Sequence, residues 1–187
     1  MSRIQKRSSS ECGLIFDKLD NLKIVVDCIK AEGKRVVLAN GTFDLLHVGH
    51  IRMLRDAKSR GDYLIVALNS DASVKKYKNP KLPIQSQDQR AEVLVALRFV
   101  DYLVIFDEPS ADKIIEFLQP DMVAKGTDYT SSSLPEKSTV ESYGGTIVIC
   151  GDAKGDKGSS KMIQKIQKMG PAPAAKKPAV KKASARR

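Results

Sequence analysis

The sequence predicts a doubly wound α/β domain on a parallel sheet of about five strands. Three observations carry that prediction. Short apolar runs of strand length recur at residues 36–39, 63–68, 102–106, 122–124 and 146–149. Between them lie stretches of helical periodicity, with Ile51, Leu54 and Ala57 in one and Ile114, Ile115 and Leu118 in another. Turn-forming residues punctuate several junctions: Gly41, Gly61-Asp62 and Gly144-Gly145. Strands that are apolar throughout are buried on both faces, and a parallel sheet covered by helices on both sides buries them.

Length and composition bound the answer. The chain has 187 residues, enough for one domain with a real core, and 42% of them are hydrophobic. No apolar run approaches the roughly 20 residues of a membrane span, and the N-terminus lacks a secretory signal, so a cytoplasmic location is expected. Cys12, Cys28 and Cys150 are an odd, widely spaced set that reads as free thiols in a reducing compartment. The net charge is +10. Six basic residues and no acidic one follow Pro171, which leaves +4 on the rest, a modest excess. That tail, residues 170–187, is rich in Lys, Ala and Pro and is expected to be disordered; without interleaved aromatics it makes nucleic acid an unlikely partner.

In chain order, residues 1–13 carry Arg3, Lys6, Arg7 and a three-serine run and are expected to be flexible. Between Leu14 and Gly33, the apolar positions Leu19, Leu22, Val26 and Ile29 predict a helix that Gly33 ends. The strand at 36–39, the helix from Gly49 to Arg60 and the strand at 63–68 make a right-handed βαβ unit. Asn69-Ser70-Asp71 caps a short helix in the simplest reading, and it leaves the carboxyl end of a strand, where open parallel sheets place ligands. Ser86 reads as an N-cap before a long helix over residues 90–99. The serine-rich stretch 130–139 reads as an exposed loop.

The chemistry concentrates in residues 36–50, VVLANGTFDLLHVGH. A strand runs into a turn at Gly41, whose missing side chain lets a ligand approach the main chain. The only two histidines of the chain, His47 and His50, then fall three apart near a helix N-terminus, where unpaired N–H groups attract phosphate. Two imidazoles there could donate to phosphate oxygens and hold developing charge. Two plainer readings stand beside this one. The histidines could cap a turn, or hold a metal; the absence of a third histidine means a zinc would need other ligands, acidic ones. Downstream, Lys75, Lys76, Lys78 and Lys81 form a basic run that is either a solvated face or a source of phosphate ligands.

Gly41-Thr42-Phe43-Asp44-Leu45-Leu46-His47-Val48-Gly49-His50 resembles the signature of the small H-x-G-H nucleotidyltransferases, the cytidylyltransferase-like group. Further matches follow at residues 66–74, at Arg90-Ala91-Glu92-Val93-Leu94 and at Lys125-Gly126-Thr127-Asp128-Tyr129. Together they resemble the adenylyltransferase branch that makes ADP-heptose for bacterial lipopolysaccharide, over roughly residues 14 to 169. The resemblance implies a Rossmann-like domain spanning 14–169. It implies His47, His50 and Lys125 as catalytic residues. The nucleotide would be bound by Gly41, Thr42, Phe43, His47, Gly49, His50, Arg90, Lys125, Gly126, Ser159 and Ser160. The acceptor would meet Asp44, Asn69, Asp71, Lys78, Lys81 and Asp128, although Asp44 could equally be a capping carboxylate.

The chain departs from the family pattern at three places. Asn79 stands where a glycine usually follows the lysine matched by Lys78, and Leu82 replaces an arginine before Pro83. Lys81 could restore the charge but not the bidentate geometry of arginine. Gly158 stands where the first hydroxyl of a serine–threonine run belongs, leaving Ser159 and Ser160.

The reaction so implied transfers AMP from ATP to D-glycero-beta-D-manno-heptose 1-phosphate and releases pyrophosphate. Mg²⁺ would be carried by the nucleotide and no metal held by the protein. A homodimer, a separate heptose kinase as supplier, and no membrane insertion are the further expectations. Two alternatives stay open: a cytidylyltransferase acting on glycerol 3-phosphate or a related phosphorylated alcohol, and a non-catalytic protein that binds nucleotide or nucleic acid.

Overall fold

The computed structural model describes residues 12–127, 134–151 and 158–170. Six strands form one sheet: β1 (Leu14–Phe16), β2 (Val36–Gly41), β3 (Tyr63–Asn69), β4 (Tyr102–Phe106), β5 (Met122–Gly126) and β6 (Thr146–Cys150). Every pairing is parallel, in the order β1-β4-β3-β2-β5-β6. The chain begins the nucleotide-sized half at the centre, winds outward through β3 and β4, and then crosses back to lay β5 on the other side of β2. The order therefore reverses between β2 and β5, and the crevice at their carboxyl ends is where doubly wound sheets bind ligands.

Helices α1 (Leu19–Ala31), α2 (Val48–Ser59), α3 (Asp71–Tyr77), α4 (Gln87–Val95), α5 (Asp112–Leu118), α6 (Lys137–Ser142) and α7 (Ser159–Met169) connect and flank the strands. Alternate residues of each strand enter opposite cores, as the two-residue period of a strand requires. Val36 and Leu38 join Leu22, Val26, Ile115 and Leu118 of α1 and α5 on one face. Val37 and Ala39 join Leu54 and Ala57 of α2 and Ala91 and Leu94 of α4 on the other. This double burial explains why β2 and β3 read as unbroken apolar runs.

Three expectations change. The sheet has six strands because Leu14–Phe16, read as the start of a helix, pairs with β4 as an edge strand. Three residues are too few to show a period, so only the partner strand reveals them. Just before them Gly13, assigned to a flexible leader, donates to the carbonyl of Val95 at 2.7 Å. A Cβ on Gly13 would come within 2.6 Å of the Val100 carbonyl oxygen, so only glycine fits this approach. The helix read over 90–99 instead starts at Gln87 behind a Ser86–Gln89 capping box and stops at Val95. Lastly, Lys137–Ser142 is helix α6, not loop, because Leu134 and Val140 are buried against the domain. The expected leader and tail lie almost wholly outside the described residues.

Candidate active site

Two helix N-termini meet beside β2. His47 is the N-cap of α2, and its Nδ1 accepts the N–H of Gly49 at 3.1 Å. That bond leaves the ring proton on Nε2. A Cβ placed on Gly158, the N-cap of α7, would lie 4.0 Å from this Nε2. The unpaired N–H groups at the start of α7 therefore open beside the His47 donor, an arrangement suited to an anion.

His50 stacks on His47, with ring centroids 3.9 Å apart and planes 28° apart. Phe43 meets His50 edge-on at 5.3 Å. Burial first, and the neighbouring His47 second, lower the His50 pKa to about 4. The ring is thus neutral at pH 7 and acts as a hydrogen-bonding group, with no charge of its own. Its buried Nδ1 has no partner among the described residues. Both histidines, and with them Gly49, fall where the sequence placed them.

A Cβ on Gly41 would sit 3.1 Å from Phe43 Cε2, so the missing side chain makes room for the aromatic ring. Phe43 itself has a positive φ of 44°, a strained conformation for a bulky residue, and is buried. The strain turns the chain from β2 toward α2 while the Phe43 ring folds back against His50.

Lys125, at the end of β5, is 5% exposed. Its ammonium donates to Asn40 Oδ1 at 2.8 Å and to Glu136 Oε1 at 2.6 Å, which ties β2, β5 and the start of α6 together across the switch point. Glu136 is equally buried, and its second oxygen, Oε2, has no partner among the described residues. Sequence reasoning missed Glu136 as a site residue, because it follows a serine-rich stretch that reads as solvated. The signal lay in Leu134-Pro135, too apolar and stiff for an open loop. Gly126 ends the same strand, paired with Cys150.

Arg90, expected at the nucleotide, is wholly buried. Its guanidinium donates to the carbonyls of Gln85 (3.1 Å) and Thr42 (2.6 Å) and to Asp71 Oδ1 (2.7 Å). These bonds brace the cleft wall from behind. Asp44 is a strut as well: its carboxylate accepts the N–H groups of Ile84 (2.8 Å) and Gln85 (2.9 Å). Asn69 is buried and donates to Ser73 Oγ at 3.3 Å. The expected Ser70 cap of α3 is present, accepting from Ser73.

Lys78 is exposed as a residue, yet its ammonium turns inward to the hydroxyl of Thr42. Desolvation, then the charges of Arg90 and Lys125, lower its pKa. These three cations therefore share one region of the cleft. Lys81 stands exposed, with its backbone N–H held by Asn79 Oδ1 at 2.9 Å. Ser159 donates its hydroxyl to the carbonyl of Leu45 at 3.0 Å, which fastens α7 to the motif loop. Asp128 and the side chain of Ser160 lie outside the described residues. Among those residues, no group of three His, Cys, Asp or Glu could hold a metal.

Comparison with known proteins fits this geometry. The cytidylyltransferase-like family profile matches residues 38–173. The chain is 45% identical over 148 residues to the bifunctional protein HldE of Geobacter metallireducens, covering 79% of this chain and 30% of that one. It is 37% identical over 165 residues to the HldE of Pseudomonas fluorescens, covering 88% of this chain and 34% of that one. The chain thus spans about a third or less of the length of these relatives. Among solved structures, the lipopolysaccharide core biosynthesis protein of Thermoplasma volcanium superposes with a TM-score of 0.54 at 31% identity, over 63% of this chain and 94% of that one. The pantoate–beta-alanine ligase of Francisella tularensis, at 16% identity and a TM-score of 0.54 over 77% of this chain and 69% of that one, shares the fold alone. By profile, motif and the topology that brings the two helix N-termini together, the chain belongs to the cytidylyltransferase-like family.

Proposed function

We propose that this protein is an adenylyltransferase that moves AMP from ATP to D-glycero-beta-D-manno-heptose 1-phosphate, giving ADP-heptose for lipopolysaccharide core synthesis and pyrophosphate. The observation that carries the reading is the stacked His47–His50 pair at the N-terminus of α2, beside the start of α7. The HldE relatives and the lipopolysaccharide core biosynthesis protein of Thermoplasma support the choice of sugar.

A phosphate oxygen of the sugar 1-phosphate attacks the α-phosphorus of ATP, and the bond to the β-phosphate oxygen breaks. Pyrophosphate takes the electron pair, so no protein nucleophile is needed. The histidines donate hydrogen bonds to the phosphate chain, and the α7 N-terminus supplies further N–H groups. Neutral His50 brings direction but no charge, so the positive charge comes from Lys125 and Lys78. Lys125 must exchange part of its contact with Glu136 or Asn40 for the phosphate. Mg²⁺ is read as arriving with ATP, where it neutralises phosphate charge. Asp44 and Arg90 act only by fixing the walls, and Asn69, Asp71 and Lys81 border the acceptor side.

The protein is read as a cytoplasmic homodimer that works beside a heptose kinase supplying the sugar 1-phosphate; these expectations rest on the resemblance. Among the described residues no helix is long and apolar enough to cross a membrane. The test is pyrophosphate release across ATP or CTP paired with heptose 1-phosphate or glycerol 3-phosphate. Release with ATP and the heptose, with ADP-heptose identified by mass, is the expected result. Release only with CTP and glycerol 3-phosphate would replace the substrate pair, and release with none would leave a binding protein.

A further inference from the structure

Helix α7 carries the two most exposed large apolar side chains among the described residues, Met169 at 74% and Ile166 at 59%, with Met162 at 39%. Spacings of four and three place these three on one face. Among the described residues the helix packs extensively against no other element, and Ser159 at its first turn fastens it to the domain. Lys161, Lys165 and Lys168 are exposed along one side of that face, and the helix contains no acidic residue. The sequence after it, residues 171–187, adds six basic residues and again no acidic one.

We propose that α7 docks the protein onto an anionic lipid surface. Its Met162, Ile166 and Met169 face enters the headgroup boundary, and the lysines meet the lipid phosphates. An apolar stripe flanked by lysines without acids is the pattern of a helix that lies in a membrane interface. Lysine stems are long enough to keep their ammonium groups in the headgroup layer while the stripe inserts. Eleven residues cannot span a bilayer, so the association is peripheral.

Two other occupants fit less well. A second copy laid face to face would set three lysines of each helix near those of its twin, with no acid in α7 to offset them. Nucleic acid would satisfy the lysines and leave the apolar stripe in water. Of the three, the anionic lipid layer answers both features, and the run of basic residues after the helix strengthens its attraction.

The test is flotation of the full chain with vesicles of phosphatidylcholine alone and of phosphatidylcholine mixed with phosphatidylglycerol. Wild type is expected to float only with the mixed vesicles and to release at about 0.5 M salt. The pair Ile166→Gln/Met169→Gln keeps every charge and a helix-compatible residue at both sites, so it should partition about tenfold or more weakly. Unchanged thermal melts show that the pair still folds, and Met162→Gln gives an independent smaller loss. Equal flotation of wild type and the pair would overturn the proposal in favour of attraction by charge alone. Absence of wild-type flotation would overturn it outright. So would a wild-type dimer in sedimentation that the pair dissolves while neither protein floats, which would make the stripe a contact between copies.

Discussion

Lys125 and Glu136 form a buried ion pair at 2.6 Å, with side chains 5% and 6% exposed, at the point where the strand order of the sheet reverses. Each stands on a different element, β5 and the start of α6, and the lysine also reaches Asn40 on β2. A buried pair contributes little net stability over a well-packed apolar one, whereas half of a pair is costly. Its presence at the ligand crevice is better explained by the reaction than by the fold.

Glu136→Ala should destabilise the protein by about 3 kcal/mol, since it removes the carboxylate that balances a buried ammonium. The double variant Lys125→Met/Glu136→Leu should recover much of that loss in denaturant melts while turnover stays roughly 10²-fold or more below wild type. Recovery of turnover along with stability would make the pair structural.

The two histidines should separate on substitution. His50→Ala should lower turnover roughly 10²- to 10³-fold with the fold kept. His47→Ala should do the same and also lose the α2 cap, at a cost of about 1 kcal/mol. His47→Asn restores a capping acceptor, so it should regain the stability and not the activity. Circular dichroism melts beside pyrophosphate release decide the matter, and a folded His50→Ala enzyme at wild-type speed would refute the mechanism.

The His50 pKa, lowered to about 4, makes a pH prediction with a definite sign. In the unfolded chain His50 takes its proton near the ordinary value of about 6.5, but in the folded chain only near 4. Between those values the unfolded state binds more protons, so stability falls as pH drops through that window. The full shift corresponds to roughly 3 kcal/mol. Melts at pH 7 and below pH 5 should show a smaller acid loss in His50→Gln than in wild type. The His50 ring resonances should titrate near 4 in NMR, and a midpoint near 6.5 would contradict the buried, stacked geometry.

Gly158 offers a gain-of-function test. Its φ of −31° is on the side ordinary residues adopt, and among the described residues a Cβ there meets nothing closer than His47 Nε2 at 4.0 Å. Gly158→Ser should therefore fold normally and add a hydroxyl donor where the phosphate chain is proposed. The KM for ATP should fall about two- to tenfold, the range of one neutral hydrogen bond. An unchanged or raised KM would place the phosphates elsewhere.

Metal removal should act on activity alone. Chelation is expected to stop pyrophosphate release while the melting temperature without nucleotide holds, because no described cluster of His, Cys, Asp and Glu could cage an ion. A drop in melting temperature on chelation would show a metal held by the protein.

The sequence alone determined the alternation of elements, the parallel sheet and the placement of His47 and His50 at a helix start. These are local consequences: apolar runs of strand length, helical periodicity and a glycine turn act within a few residues of themselves. The tertiary structure decided what depends on distant neighbours. It made Leu14–Phe16 a strand by pairing it with β4, and gave the space over Gly41 to Phe43. It buried Arg90 and Asp44 as struts of the cleft wall, although their motif positions suggested ligand contacts. It also brought Glu136 to Lys125 from eleven residues away. A charged side chain has the same sequence signature whether it faces water, a ligand or a buried partner. Desolvation and the available partners choose among these, and both are set only when the sheet closes its crevice.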